Sequence, residues 1–176
     1  FLTRKEAGLG SLEKLRAASG HRIGAQSVGH VHYIRGRLFA WLLDMKDPRF
    51  VVGYSGTELD IALERGEVDA RAATLDMRAL TESYQNLVEF HVILENPKGQ
   101  RPPQFAHLRE LETFVRSGLE SRLMALARTF WGMGTLKYLP PGTPNKLAEI
   151  LRQAVRDTFK DRQFHEQYKK VIGINP

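Results

Sequence analysis

Apolar positions in the first half of this chain alternate between strand-like and helix-like spacing; in the second half helical spacing dominates. Ser11, whose hydroxyl can accept a free N–H, precedes Leu12 and Leu15, and Gly20 follows, so a short capped helix is predicted there. His21–Gln26 reads as a short strand. Beyond the loop Ser27-Val28-Gly29, apolar residues at Val31, Ile34, Leu38, Trp41 and Leu42 share one helical face. Phe50-Val51-Val52-Gly53-Tyr54, set between Pro48 and Gly56, groups β-branched and aromatic residues as a buried strand does. Thr57-Glu58-Leu59-Asp60 has the form of a capping box, which predicts Thr57 as the N-cap of a helix through Leu63 that stops at Gly66. Val68–Ala73 predicts a third strand, and a helix from Asp76 to Tyr84 follows, with Asp76 most simply its cap.

Strand, helix, strand, helix, strand is the signature of an open, mainly parallel, doubly wound α/β sheet with right-handed crossovers. Ligands of such sheets sit beyond the carboxyl ends of the strands. The loops Ser27–His30 and Tyr54–Thr57 are therefore expected on one rim, and because both open helices, their free N–H groups suit an anion. In the second half, Val88, Phe90 and Val92 alternate with Glu89 and His91, predicting a half-buried strand over Leu87–Leu94. Helical segments are predicted at Leu108–Val115 and Leu119–Trp131, with a short extended piece at Leu136–Leu139. Pro140-Pro141-Gly142-Thr143-Pro144 predicts a turn with Thr143 as N-cap and Pro144 at the first helical position. Leu147, Ile150, Leu151, Ala154, Val155 and Phe159 mark an amphipathic helix, and Asp161 caps a last one containing Phe164, Tyr168 and Val171. The reading thus divides the chain into an α/β lobe over residues 1–86 and a C-terminal portion over residues 87–176.

Charge changes the picture only slightly. The formal charge of +6 suits nucleic acid or an anionic ligand, yet Lys and Arg are interleaved with acids, as in Arg4-Lys5-Glu6 and Arg152–Lys160. No basic run carries the interleaved aromatics that stack bases, so a nucleic-acid module is only an alternative. No apolar run approaches the roughly 18 residues of a membrane span. With no cysteine, disulfides and thiolate chemistry are absent.

The candidate chemistry lies in the loops. Gly24–His30 has the glycine spacing of a phosphate loop, but His30 stands where the lysine would be and Val31 where the metal-holding hydroxyl would be, which argues against NTP hydrolysis. Ala25-Gln26-Ser27-Val28-Gly29 approximates a nucleophile elbow. A hydrolase using Ser27, with His91, His107 or His165 as base, is the first alternative, ahead of the nucleic-acid module, and it lacks a clean acid partner or oxyanion motif. His30 and His32, two apart, do not suit a helical metal pair. His30 at a helix start is expected as a neutral hydrogen-bond donor to ligand or backbone. Tyr54-Ser55-Gly56-Thr57 gathers a phenol, two hydroxyls and an exposed backbone, groups shared by ligand sites and turns.

Three stretches together resemble a family. Gly24–His32 is similar to a Gly/Ser-rich strand-to-helix loop, and Gly53-Tyr54-Ser55-Gly56 with Gly66-Glu67-Val68-Asp69 to a tyrosine-glycine loop and its following strand. Pro141-Gly142-Thr143-Pro144 with Asp161 and Gly173 is similar to a C-terminal helix signature. In this order they resemble the Bug-type extracytoplasmic receptors of tripartite tricarboxylate transporters. The resemblance implies a periplasmic-binding-protein-like (type II) lobe with C-terminal helices, the chain being the C-terminal portion of a longer clamshell. It also implies a non-enzymatic periplasmic receptor that passes a small polar or carboxylate solute to membrane transporter subunits, with no cofactor, no metal and no nucleic acid. The implied ligand contacts are Ser27, Val28, Gly29, His30, Tyr54, Ser55, Gly56 and Thr57, with Thr74 and Asp76 nearby, since Ala73 stands where relatives often carry an aspartate. Apolar surface left by a missing first-lobe segment would favour self-association of this piece.

Overall fold

A computed structural model describes residues 1–74, 81–96, 98–99, 101–132 and 138–172. The chain forms two compact units, residues 1–132 and 133–176.

In the first unit, β1 (Leu2–Arg4), β2 (Arg22–Gly24), β3 (Arg49–Val51), β4 (Ala70–Arg71) and β5 (Val88–Phe90) form one sheet in the order β3-β2-β4-β1-β5. β2 runs parallel to both neighbours, with Ile23 opposite Phe50 on one side and Ala70 on the other. β1 is antiparallel to β4 and β5, with Leu2 opposite Arg71 and Phe90. The sheet is therefore mixed α/β rather than mainly parallel, and its antiparallel pairs all come from β1.

Helices α2 (Val31–Leu42) and α3 (Gly56–Glu64) join the parallel strands and lie on opposite faces. Two glycines fix this. A Cβ on Gly36 of α2 would meet the Phe50 ring at 3.0 Å and Ile23 at 3.4 Å, so α2 lies close over that face. A Cβ on Gly24 would stand 2.5 Å from Cδ2 of Leu59 in α3, on the other face, because neighbouring strand residues point opposite ways. The winding direction thus reverses about β2, and the crevice beyond the carboxyl ends of β2 and β4 is the topological switch point. Each face has its own core: Ile23, Phe39, Leu42, Leu43 and Ala70 on the α2 side, and Leu2, Leu63, Val68, Tyr84 and Val88 on the other.

Several predicted elements shift. α1 (Leu12–Ala17) is capped by Ser11 as expected, and Gly66 ends α3 in the left-handed region at φ 73°. α3, however, is capped by Ser55, not Thr57: the Ser55 hydroxyl accepts from Glu58 N at 3.4 Å, and Ser55 N donates to Glu58 Oε2 at 2.7 Å. Asp60, the acid of the expected box, is buried and bonded instead to Arg71 and to the Tyr84 hydroxyl. The helix expected over Asp76–Tyr84 lies in part outside the described residues; α4 covers Glu82–Leu87, capped by Thr81. The strand expected over Leu87–Leu94 breaks at His91 into β5 and β6 (Val92–Ile93), and β6 pairs in parallel with β7 (Arg109–Glu110) in a separate two-stranded sheet. Leu108–Val115 is therefore a strand followed by a 3-10 turn at Leu111–Phe114, and α5 (Gly118–Gly132) follows. The extended piece expected at Leu136–Leu139 begins outside the described residues.

The second unit holds α6 (Asn145–Thr158) and α7 (Arg162–Ile172). Pro144 occupies the N-cap of α6, one position later than expected, and the Thr143 hydroxyl donates back to the Pro140 carbonyl at 2.7 Å instead of capping. Asp161 caps α7 through Phe164 N at 2.7 Å. Phe164 packs against Phe159 and Tyr168, while Leu147, Ile150, Leu151 and Val155 are exposed. No helix among the described residues is long and apolar enough to cross a membrane.

Candidate functional site

The parallel pairing of β2 with β3 and β4 sends three loops off one edge of the sheet: Ala25–His30, Val52–Ser55 and the segment after Arg71. The first two are tied together, since Ala25 N donates to Val51 O and Gly53 N to Gln26 O, both at 2.9 Å. Thr74 joins them through α2, its Oγ1 accepting from Arg35 Nη1 at 3.1 Å. Ser27, Val28, Gly29, His30, Ser55, Gly56, Thr57 and Thr74 therefore belong to loops or helix starts of one rim. Asp76 lies outside the described residues.

The two helix starts differ in what they offer an anion. At α3 the Glu58 carboxylate, held by Ser55 N, already occupies the positive end. At α2 no acid lies in the first turn, and Ser27, Val28 and Gly29 are exposed, with Gly29 at φ 84°. The α2 start is thus the one open to an external negative charge.

His30 is the N-cap of α2: its Nδ1 accepts from His32 N at 3.2 Å, which leaves Nε2 as the ring's donor. The His30 and His32 rings lie edge to face, 5.1 Å apart. Burial, then the positive charge of Arg71, proximity to His30 and the charge of Arg35, push the His32 imidazole down to about 4, which leaves it neutral at ordinary pH. Its Nδ1, the Gln26 Oε1 and the Arg71 Nε are buried without hydrogen-bond partners among the described residues. Arg71 stands opposite Gly24 at the end of β4, with a side chain only 8% exposed and ion-paired to Asp60.

Tyr54 points elsewhere. Its phenol lies beside Glu67, and burial, then the Glu67 charge and hydrogen bond, raise its pKa. The Thr57 side chain is exposed on the first turn of α3.

Among the described residues no hydrogen bond joins the Ser27 hydroxyl to a histidine; the Ser27 carbonyl accepts from His30 N at 3.1 Å, and His91 is bonded to Thr3 Oγ1 at 2.7 Å. His165 Nε2 is bonded to the Phe159 carbonyl within its own unit. Among the described residues no group of three or more acids or histidines could hold a metal ion. Sequence reading missed Gln26, Arg35 and Arg71 and weighed His32 only as a metal ligand. One signal was available: Arg35 follows His32 by three residues, on the same side of the helix.

Compared with protein-family models and with curated proteins, the chain has no match.

Proposed function

We propose that this chain is the ligand-holding C-terminal portion of an extracytoplasmic solute receptor, which captures a small carboxylate-bearing solute in the periplasm and delivers it to a membrane transporter. The observation that carries the reading is the switch point at the ends of β2 and β4, where a helix start with no acid in its first turn carries neutral His32, with Arg35 and Arg71 within Coulombic range of that imidazole. Backbone donors and guanidinium groups without a nucleophile–base pair hold an anion and leave it unchanged. The sheet supports the same reading. The order β3-β2-β4 is the 2-1-3 core of a doubly wound lobe, and the antiparallel β1 beside it is compatible with a type II binding-protein lobe. The placement of the basic residues favours this ligand class over nucleic acid, because Arg22, Arg71, Arg101 and Arg128 are ion-paired to carboxylates within the fold.

A thermal-shift screen of small mono-, di- and tricarboxylates tests the proposal, with the hits recovered afterwards and analysed by NMR. The reading expects a rise in melting temperature and unaltered solute. Consumption of the solute, or no shift with any carboxylate, would refute it.

A further inference from the structure

Among the described residues, the arginines that the fold partly or wholly covers have, with two exceptions, a carboxylate partner. Arg4 is paired to Glu6, Arg22 to Asp69, Arg71 to Asp60, Arg101 to Glu95 and Arg128 to Glu110. Arg16 lacks an acid, but its Nε donates at 2.9 Å to the carbonyl of Leu43, the C-cap of α2, where the helix dipole supplies negative charge. Arg35 has neither kind of partner among the described residues. One Nη donates to Thr74, and the guanidinium lies over the Trp131 ring at 5.1 Å. Trp131 is itself held, its carbonyl accepting from Asn96 Nδ2 at 2.7 Å. The planar group is thus fixed in orientation between a hydroxyl and an aromatic face, with the rest of its donor fork unbonded to any described residue.

The surroundings of that fork are those an anion needs. Arg35 lies one turn inside α2, about 6 Å along the axis from the helix start. His32, three residues earlier on the same side, carries an Nδ1 without a partner among the described residues. Arg71, more than nine-tenths buried, keeps its Nε unbonded and lies close enough to His32 to lower its basicity. Burial also lowers the basicity of Arg35, so its charge is held at a desolvation cost that no described acid offsets.

We propose that Arg35 is the residue that receives the anionic group of the solute, with Thr74 fixing its orientation and the start of α2 supplying backbone donors to the same group. The assignment rests on the receptor reading above and adds to it the side chain that distinguishes a carboxylate from its uncharged amide. A purely structural Arg35, stitching α2 to Thr74 and Trp131, would be indifferent to that distinction.

Calorimetry on the full chain at constant ionic strength separates the two, using acetate, succinate and citrate as probes and succinamide as the uncharged counterpart. Arg35→Met keeps the apolar stem against Trp131 and removes the fork; Arg35→Gln serves in its place if the methionine variant does not fold. The affinity of the tightest carboxylate is expected to fall about 10- to 100-fold in either variant, the loss expected when a charge-assisted fork is removed. Succinamide should bind weakly and alike to wild type and variant. A folded variant that binds the carboxylate as tightly as wild type overturns the role of Arg35 and leaves the receptor reading standing. Failure of wild type to bind any of the three acids overturns both.

Discussion

Replacing Gly24 by alanine puts a methyl where the packing of α3 on the sheet leaves no room. The new Cβ would stand 2.5 Å from Cδ2 of Leu59 and 3.2 Å from both methyls of Val68, whereas carbon atoms in contact prefer about 3.5 to 4.0 Å. Leu59 and Val68 are both fully buried, so neither side chain can swing into solvent. The helix must lift by roughly 1 Å or the leucine must leave its rotamer, and overpacking of this kind costs about 1 to 3 kcal/mol. With a urea m-value of about 1 to 3 kcal/mol/M, the unfolding midpoint should fall by roughly 1 M. Leu59→Ala alone removes buried methyls and should cost about 2 to 5 kcal/mol. In the double variant the alanine at position 24 partly fills the space that Leu59 leaves, so the two losses should not add, and the coupling should be about 1 kcal/mol or more. Urea denaturation of wild type, both single variants and the double variant measures this cycle. A neutral Gly24→Ala, or additivity within about 0.5 kcal/mol, would refute the placement of α3 against that face and with it the doubly wound core.

Ser55→Ala should lower stability by about 1 kcal/mol through loss of the cap, while Thr57→Ala should stay within about 0.5 kcal/mol; thermal melts that reverse this order would contradict the observed capping box. Stability should also decline in mild acid. Burial pushes His32 and His91 down to about 4, so below the usual 6.5 the unfolded chain takes up protons that the folded chain refuses, and stability is lost as pH falls from about 6.5 towards 4. Each histidine contributes at most about 1.4 kcal/mol per pH unit in that window, and His32 less because it is partly exposed. Urea midpoints at pH 7.5 and 5 measure the slope, and a midpoint unchanged or higher at pH 5 would contradict it.

The parallel core was legible because β2 and β3 are bracketed by glycine or proline, β2 is followed by a clear helical face and β3 by a capping pattern. β1 was not, since three residues are too short for alternation to show, and its place between β4 and β5 depends on pairing with residues some seventy to ninety positions away. The cap of α3 was ambiguous locally. Ser55 with Glu58 and Thr57 with Asp60 both fit the capping pattern, and a tertiary contact decided between them by drawing Asp60 to Arg71 and Tyr84. The same distance effect hid part of the candidate site. The loops Ser27–His30 and Tyr54–Thr57 could be placed on one rim from strand order alone. Arg71 reaches it only through the register that sets it opposite Gly24, and Arg35 is marked only by the acid it lacks.

Backbone amide NMR during a citrate titration bears most directly on the claim that the crevice beyond β2 and β4 holds a small carboxylate. The amides of Ser27, Gly29, His30 and Thr74, with the Nε–H of Arg35, should shift together and saturate at a single binding constant. Shifts confined to other surfaces, or none at millimolar citrate, would contradict it.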